Sequence, residues 1–284
     1  MIAAVVMTQK PADVLRQMLV SVLMGEKLPN IIRIVTQNDP ANYADFYTGQ
    51  INALARRLGV DVVWDHPSRK LTHAEFLAGS LEWGCDFQGL YHLWLLDDDV
   101  VYTSRCLKEL YTSWEYAHPN AAFIQGSKSD VNNIRGYNDF RFDPVLKEEP
   151  LPHYPPTHWN YQYRDDGCIF PCALMDSGNV LIPLEGLESF EMWDKIAALG
   201  KREDYTINIP GDTWLSACIL SQRPNTYGYL NINAQAHHLE KPNGASAFAS
   251  PMELRREAFN YEMKIHELPE KVVQTISEAM KGWK

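Results

Sequence analysis

Over its first hundred residues the chain alternates four short apolar runs with three stretches of helical periodicity, and this alternation leaves few folds open. The runs at 2–7, 31–36, 61–64 and 91–96 are bounded by Pro, Asn, Asp and Gly and read as strands. Segments 12–24, 42–58 and 73–83 read as helices, the first through the spacing of Val14, Met18, Leu19 and Val22. Strands separated by single helices predict a parallel sheet wound by right-handed crossovers. In such sheets ligands bind outside the carboxyl ends of the strands. Those ends are polar here: Thr8-Gln9, Gln37-Asn38-Asp39, Asp65-His66 and Asp97-Asp98-Asp99. They are expected to converge on one crevice.

The second half is less regular. A helix at 104–117 and a strand at 121–125 precede a segment, 138–171, crowded with Pro, Tyr, His, Trp and Asp, which is too long for a plain connection. It is expected to be a functional loop; the competing reading is a surface insertion packed by its own aromatics. A strand at 177–183, a helix at 187–199, a helix opening at Gly211-Asp212 and a strand at 227–233 leading to His237-His238 follow. Helices at 251–262 and 270–280 close the chain, with no internal repeat and no low-complexity tract.

With 284 residues, 45% of them hydrophobic, the chain can build one large α/β core. A net charge of -10 argues against a broad footprint for polyanions, leaving room only for a local basic groove. Cys85, Cys106, Cys168, Cys172 and Cys218 are odd in number and scattered, which suits reduced thiols in a cytoplasmic protein. Cys168 and Cys172 have no second pair nearby to complete a zinc site. The first apolar run lacks a basic leader and is interrupted by Thr8-Gln9-Lys10-Pro11, so it reads as a strand, not a signal peptide. No apolar stretch approaches the roughly 20 residues of a membrane span.

Chemistry concentrates at the aspartates. Three adjacent carboxylates behind the apolar run Leu93-Trp94-Leu95-Leu96 repel one another unless a cation or hydrogen-bond donors compensate. Carboxylate oxygens are the hard donors that select Mg²⁺ or Mn²⁺, which commonly bind through one or two carboxylates plus substrate phosphates. Strand alternation would put Asp97 and Asp99 on one face with Asp98 turned away as a spacer, an Asp-x-Asp pattern. The plainer reading is an acidic turn capping a helix at Thr103 or Ser104. His237 and His238 offer an imidazole that could complete a divalent-metal site, with His237, nearer the expected strand end, the first choice and neither excluded. Asp212, at a helix start, is the candidate general base, and an N-cap role can coexist with that.

Taken in order, these motifs resemble the A-type nucleotide-sugar glycosyltransferases, and among them the family 2 enzymes, over residues 1 to about 240. The resemblance implies a Rossmann-like mixed, mainly parallel sheet flanked by helices, followed by C-terminal helices. It implies a glycosyltransferase domain at 1–245, with a nucleotide-binding half at 1–101 and an acceptor half at 102–245 containing the aromatic insertion, and a helical extension at 246–284. By that resemblance Thr8, Gln9 and Asp39 hold the nucleoside, Asp97 lies near the ribose with Asp98 beside it, and Asp99 binds the metal with His237 or His238. Asp212 occupies the position of the catalytic base, although Gly211 stands where the family has a preceding acid. Between strands three and four the family's Asn- and Gly-rich run is replaced by Pro67-Ser68-Arg69-Lys70-Leu71-Thr72-His73, where Arg69 is the expected diphosphate contact.

The implied activity is metal-dependent, inverting transfer from a nucleoside-diphosphate sugar, with Mn²⁺ or Mg²⁺ as cofactor. A sugar-phosphate nucleotidyltransferase is a poorer fit, because Thr8-Gln9-Lys10-Pro11 contains no glycine for a phosphate-cradling loop. A non-catalytic carbohydrate-binding protein would use the aromatics and need no metal. His153, His158, Trp159, Tyr161 and Tyr163 could stack on a sugar ring or an extruded base, so a hydroxymethylated DNA base is a conceivable acceptor. The acidic balance favours a saccharide or small molecule.

Overall fold

The computed structural model describes residues 1–36, 43, 47–69, 71, 73–130, 169–172, 175, 177–187, 215, 219, 222–223 and 226–239. Within them the elements run β1 (Ile2–Thr8), α1 (Ala12–Leu23), β2 (Ile31–Thr36), α2 (Tyr47–Arg57), β3 (Asp61–Asp65), α3 (His73–Asp86), β4 (His92–Leu96), β5 (Val100–Tyr102), α4 (Cys106–Ala117), β6 (Ala121–Asp130), β7 (Ile169–Cys172), β8 (Asn179–Pro183) and β9 (Tyr227–His238). The strands form one mixed sheet ordered β3-β2-β1-β4-β8-β6-β9-β5, with β7 paired to β9. β3, β2, β1 and β4 run parallel to one another. β8 lies antiparallel to both β4 and β6, and β6 is parallel to β9.

The apolar runs form strands because the sheet is buried on both faces, where a strand reads as a continuous apolar run. In β4, Leu93 and Leu95 enter one core and Trp94 and Leu96 the other. β1 divides in the same way, with Ala3 and Val5 on one side and Ile2, Ala4 and Val6 on the other. Phe76, Leu77 and Leu81 of α3 cover the first face. The second is covered by Leu15, Met18 and Leu19 of α1, Ile51 and Ala55 of α2, and Leu107 and Leu110 of α4.

The order β3-β2-β1-β4 contains a reversal: the chain winds outward from β1 to β3 and then returns to the other side of β1. A crevice opens at that reversal, outside the carboxyl ends of β1 and β4. The register Val6↔Leu96 places the segment after β4 beside Thr8, Gln9 and Lys10. Among the described residues the ends of β1 and β4 meet there, while Gln37-Asn38-Asp39, expected at the same crevice, lie outside the described residues.

β8 is fastened by Asn179, which is fully buried. Its Oδ1 accepts from Trp94 Nε1 at 3.2 Å and from Cys106 Sγ at 3.3 Å, while its Nδ2 donates to Ala234 O at 2.9 Å. One amide thus ties β8 to β4, α4 and β9.

Several expectations are corrected. The strand expected at 121–125 continues to Asp130, and the one expected at 227–233 continues to His238, so the two histidines lie within a strand and not beyond it. Both extensions are polar, but β6 and β9 pair with each other along them, and backbone pairing needs no apolar side chain. β5 was not expected, because three residues are too few to show a period; it pairs with β9 through Val100↔His238 and Val101↔His237. Residues 169–171, placed in the irregular segment, belong to β7. The rest of the aromatic insertion, the helix expected at 187–199, the C-terminal helices and the boundary at 245 lie outside the described residues. So does most of the helix expected from Gly211, of which Leu215 and Ile219 are helical and fully buried. No helix among the described residues is long and apolar enough to cross a membrane.

Replacing Asn179 tests the fastening. Asn179→Ala orphans Trp94 Nε1 and Ala234 O in the core, and each buried unsatisfied group costs about 1–3 kcal/mol. The expected result is a clear drop in melting temperature with unchanged circular dichroism below the transition. A melting temperature equal to the parent's would show that the amide does not hold β8.

Candidate active site

The three carboxylates leave β4 in three directions, because strand alternation ends at Leu96 and residues 98–99 form a turn before β5. Each meets different compensation. Asp97 Oδ2 is 2.5 Å from Lys128 Nζ, and the Lys128 side chain, on β6, is only 4% exposed. The Asp97 N–H donates to Tyr102 Oη at 2.9 Å, and that hydroxyl donates to Gly178 O at 2.6 Å. Gly178 is needed at this point: a Cβ there would overlap both the Asp97 carboxylate and the Lys128 ammonium.

Asp98 does not turn away as a spacer. Its carboxylate folds back on the end of β1, accepting from the Gln9 N–H at 3.3 Å and from the Thr8 side chain. Burial, reinforced by the charges of Asp99 and Asp97, pushes its pKa up to about 6 against the Thr8 hydrogen bond and Lys10. The turn between β4 and β5 is the physical reason, since alternation holds only along a strand.

Asp99 faces Lys10 and His238. Lys10 Nζ lies 3.1 Å from Oδ2, and His238 Nδ1 lies 3.6 Å from Oδ1. The backbone oxygen of Asp99 accepts from the Leu239 N–H at 2.8 Å. Burial works to raise its pKa, but His238 and Lys10 outweigh it and hold the carboxyl below the usual carboxylate range.

Of the two histidines, the structure brings His238, not His237, beside Asp99. Neighbours on a strand point to opposite faces, so the pair cannot both serve one site. His237 pairs across the backbone with Val101 and Ser129, and burial lowers the pKa of its imidazole. Among the described residues no three His, Cys, Asp or Glu side chains are grouped to hold a metal on their own.

The other expected site residues divide. Thr8 is buried at the end of β1, and Gln9 follows it beside Asp98. Arg69 makes a two-pronged pair with the buried Glu75 of α3, Nη1 to Oε2 at 2.9 Å and Nη2 to Oε1 at 2.6 Å. α3 is in turn anchored to the Gly178 segment, with His73 Nε2 2.9 Å from Ser177 Oγ. Asp39 and Asp212 lie outside the described residues.

Sequence reasoning missed Lys10, Lys128 and Tyr102. A block of three carboxylates needs a compensating cation or donors, and that requirement was read as a divalent ion and not as a lysine of the chain. It named no position, because Lys128 reaches Asp97 only through the pairing of β6 with β8 and β9.

No protein-family model and no curated protein matches the sequence. Among solved structures, the mannosyltransferase PcManGT from Pyrobaculum calidifontis, in complex with GDP-Man and Mn²⁺, superposes with a TM-score of 0.53 at 11% identity, over 99% of this chain and 74% of that one. Residues 1–349 of TarS from S. aureus align with a TM-score of 0.48 at 13% identity, over 81% of this chain and 60% of that one, too loosely to carry weight. The first likeness defines the fold. The chain has a glycosyltransferase-like architecture, a Rossmann-like mixed sheet flanked by helices.

Two measurements probe the electrostatics. Asp98 has a folded pKa near 6 against an ordinary value of 3.8, so the folded state holds a proton that the unfolded state releases. Its contribution therefore makes the protein less stable as pH rises from about 4 to 6. Denaturant titrations of the parent minus those of Asp98→Asn should show that slope, and a flat difference would refute the shift. Lys128→Met takes the nearly buried cation from the partly exposed Asp97 carboxylate and should cost about 1.5–3 kcal/mol, the range of a hydrogen bond to a charged group. Lys108→Met, which breaks the exposed pair with Glu26, should cost under about 1 kcal/mol. Equal losses would place Lys128 among ordinary surface lysines.

Proposed function

We propose that the chain is a metal-dependent inverting glycosyltransferase, transferring a sugar from a nucleoside-diphosphate sugar to an acceptor hydroxyl on a saccharide or small molecule. The observation that carries this reading is the aspartate block at the strand reversal, flanked by Thr8 and Gln9, in a fold shared with a mannosyltransferase described in complex with GDP-Man and Mn²⁺.

The donor chemistry fits a divalent cation. Asp99 is held ionised and already draws the Lys10 ammonium to 3.1 Å, so positive charge is favoured at its oxygens. Asp99 and His238 would hold Mn²⁺ or Mg²⁺, the remaining positions being left to diphosphate and water. His237 is the less favourably placed alternative. When bound, the ion would supply charge stabilisation to the departing diphosphate.

The protein's own groups supply the rest. Thr8, Gln9 and Asp39 would receive the nucleoside, and Asp97, fixed by Lys128, would receive the ribose with Asp98 beside it. Lys10, which starts paired with Asp99, can turn toward the diphosphate once another cation takes its place. Arg69 is a further diphosphate contact, oriented by Glu75. Asp212 would take the proton from the acceptor hydroxyl as its oxygen attacks the anomeric carbon from the face opposite the diphosphate. A single base suffices for one displacement with inversion.

Thermal-shift and hydrolysis screens of nucleotide sugars with and without Mn²⁺ test the reading. A metal-dependent rise in melting temperature with one nucleotide series is expected, and no shift with any donor would overturn it. Asp99→Ala should abolish the metal-dependent part of donor binding. Asp212→Asn should spare donor binding and reduce transfer by about 10²–10⁴-fold. If Asp212→Asn weakens donor binding as much as transfer, Asp212 is not the base.

A further inference from the structure

At the end of the strands opposite the aspartates lies a cavity of about 760 Å³, within the range of small-molecule sites. It is lined by the starts of the strands: Ile2, Asn30 just before β2, His92 and Ala121, with Pro183 at the end of the antiparallel β8. His92 and Asp97 are five residues apart along β4, or about 16 Å, so this cavity is separate from the aspartate crevice.

Its chemistry is unlike that of an ordinary surface depression. Tyr111 and Trp114 of α4 enclose the His92 ring, with centroids 5.5 and 4.3 Å away, and Tyr91 stands 62% exposed at the opening. His92 itself is 5% exposed, and among the described residues its Nε2 has no hydrogen-bond partner. Burial, and after it the positive charges of the N-terminal ammonium, Lys27 and Arg223, pushes its pKa down to about 4, so the imidazole is neutral at pH 7. An unused ring nitrogen in a buried position is costly unless something meets it.

The cavity is also cationic. Lys27 Nζ lies 3.8 Å from the centre of the Tyr111 ring. The Arg223 guanidinium is locked by backbone oxygens, donating to Ala122 O at 2.9 Å, Pro183 O at 2.6 Å and Glu185 O at 2.5 Å. Among the described residues neither cation forms an ion pair with a carboxylate, and the one acidic residue on the lining, Glu185, is exposed. In a chain with ten more acidic than basic side chains, two cations over aromatic walls, with only the exposed Glu185 carboxylate acting on Arg223, are unexpected without an anionic ligand.

We infer that this cavity is a binding site for a ring-bearing monophosphate, a sugar phosphate or a nucleoside monophosphate. The ring lies against Tyr91 and Tyr111, and the phosphate faces Lys27 and Arg223. Ring stacking on an aromatic and a charge-assisted phosphate contact are both needed, so neither half of the ligand suffices. The inference does not rest on the transferase reading, which concerns the other end of the strands.

Isothermal titration of the full chain in EDTA, with glucose 6-phosphate and AMP as probes, tests it. At least one should bind with a Kd below about 1 mM, at least tenfold tighter than glucose, adenosine or inorganic phosphate. Lys27→Gln and Tyr91→Ala, both at accessible positions that should not disturb folding, should each weaken that binding about tenfold. Asp99→Ala should leave it unchanged. No binding of either probe overturns the inference, as does binding that both cavity variants spare. Loss of binding in Asp99→Ala would assign the probe to the aspartate crevice and overturn it equally. The donor screen with Mn²⁺ is independent, so failure of one reading is distinguishable from failure of the other.

Discussion

Three adjacent carboxylates at one end of a buried strand can persist only if the fold brings positive charge or hydrogen-bond donors to them, and much of this structure follows from that requirement. The compensation comes from three directions: Lys128 on β6, Lys10 after β1, and His238 on β9. None is close to the aspartates in sequence. Tight compensation of Asp97 and looser compensation of Asp99 give neighbouring identical residues different characters. Lys128 is nearly buried and has nowhere else to go, whereas Lys10 is 35% exposed and can leave. Asp97 is thereby a fixed feature of the crevice, and Asp99 is the carboxylate available to an incoming cation.

The sheet order makes this convergence possible. Parallel winding alone would align strand ends without a gap; the return of β4 to the far side of β1 opens the crevice. The antiparallel β8 then turns the Gly178 segment back over Asp97, where only a residue without Cβ fits. Asn179, next in the chain, locks that turn to β4, α4 and β9. A helix-facing residue, Cys106, and a strand residue, Trp94, thus help to set the position of a carboxylate that neither touches.

The parallel half was legible in the sequence because its signals are local. Apolar runs such as Ile2 to Val6 and helical stripes such as Leu15, Met18 and Leu19 report burial on both sheet faces directly. The aspartate block and Thr8-Gln9 were legible as a site for the same reason: strand ends can be read once strands are placed. The partners of the block were not, since Lys128 and His238 arrive by long-range pairing of polar strand extensions that carry no periodic signal. Assigning Asp98 as a spacer failed on one local detail. A turn, not a continued strand, follows Leu96, and in a turn the two-residue alternation no longer decides where side chains point.

An acidic chain with strong local cationic sites is not contradictory. Long-range potential depends on the summed charge, but recognition at a few ångströms depends on which charges are neutralised nearby. Thirty-six acidic residues against 26 basic ones leave the surface negative, which discourages extended polyanions. The cations that matter are held inside. Lys128 is spent on Asp97, while Arg223 is fixed by carbonyl oxygens that orient it without cancelling its charge. The first arrangement tunes a carboxylate, and the second leaves a positive charge in a poorly solvated wall, where a small compact anion interacts most strongly. Surface acidity and local positive charge therefore act at different ranges, and the net charge of the chain disfavours extended polyanions without bearing on small ones.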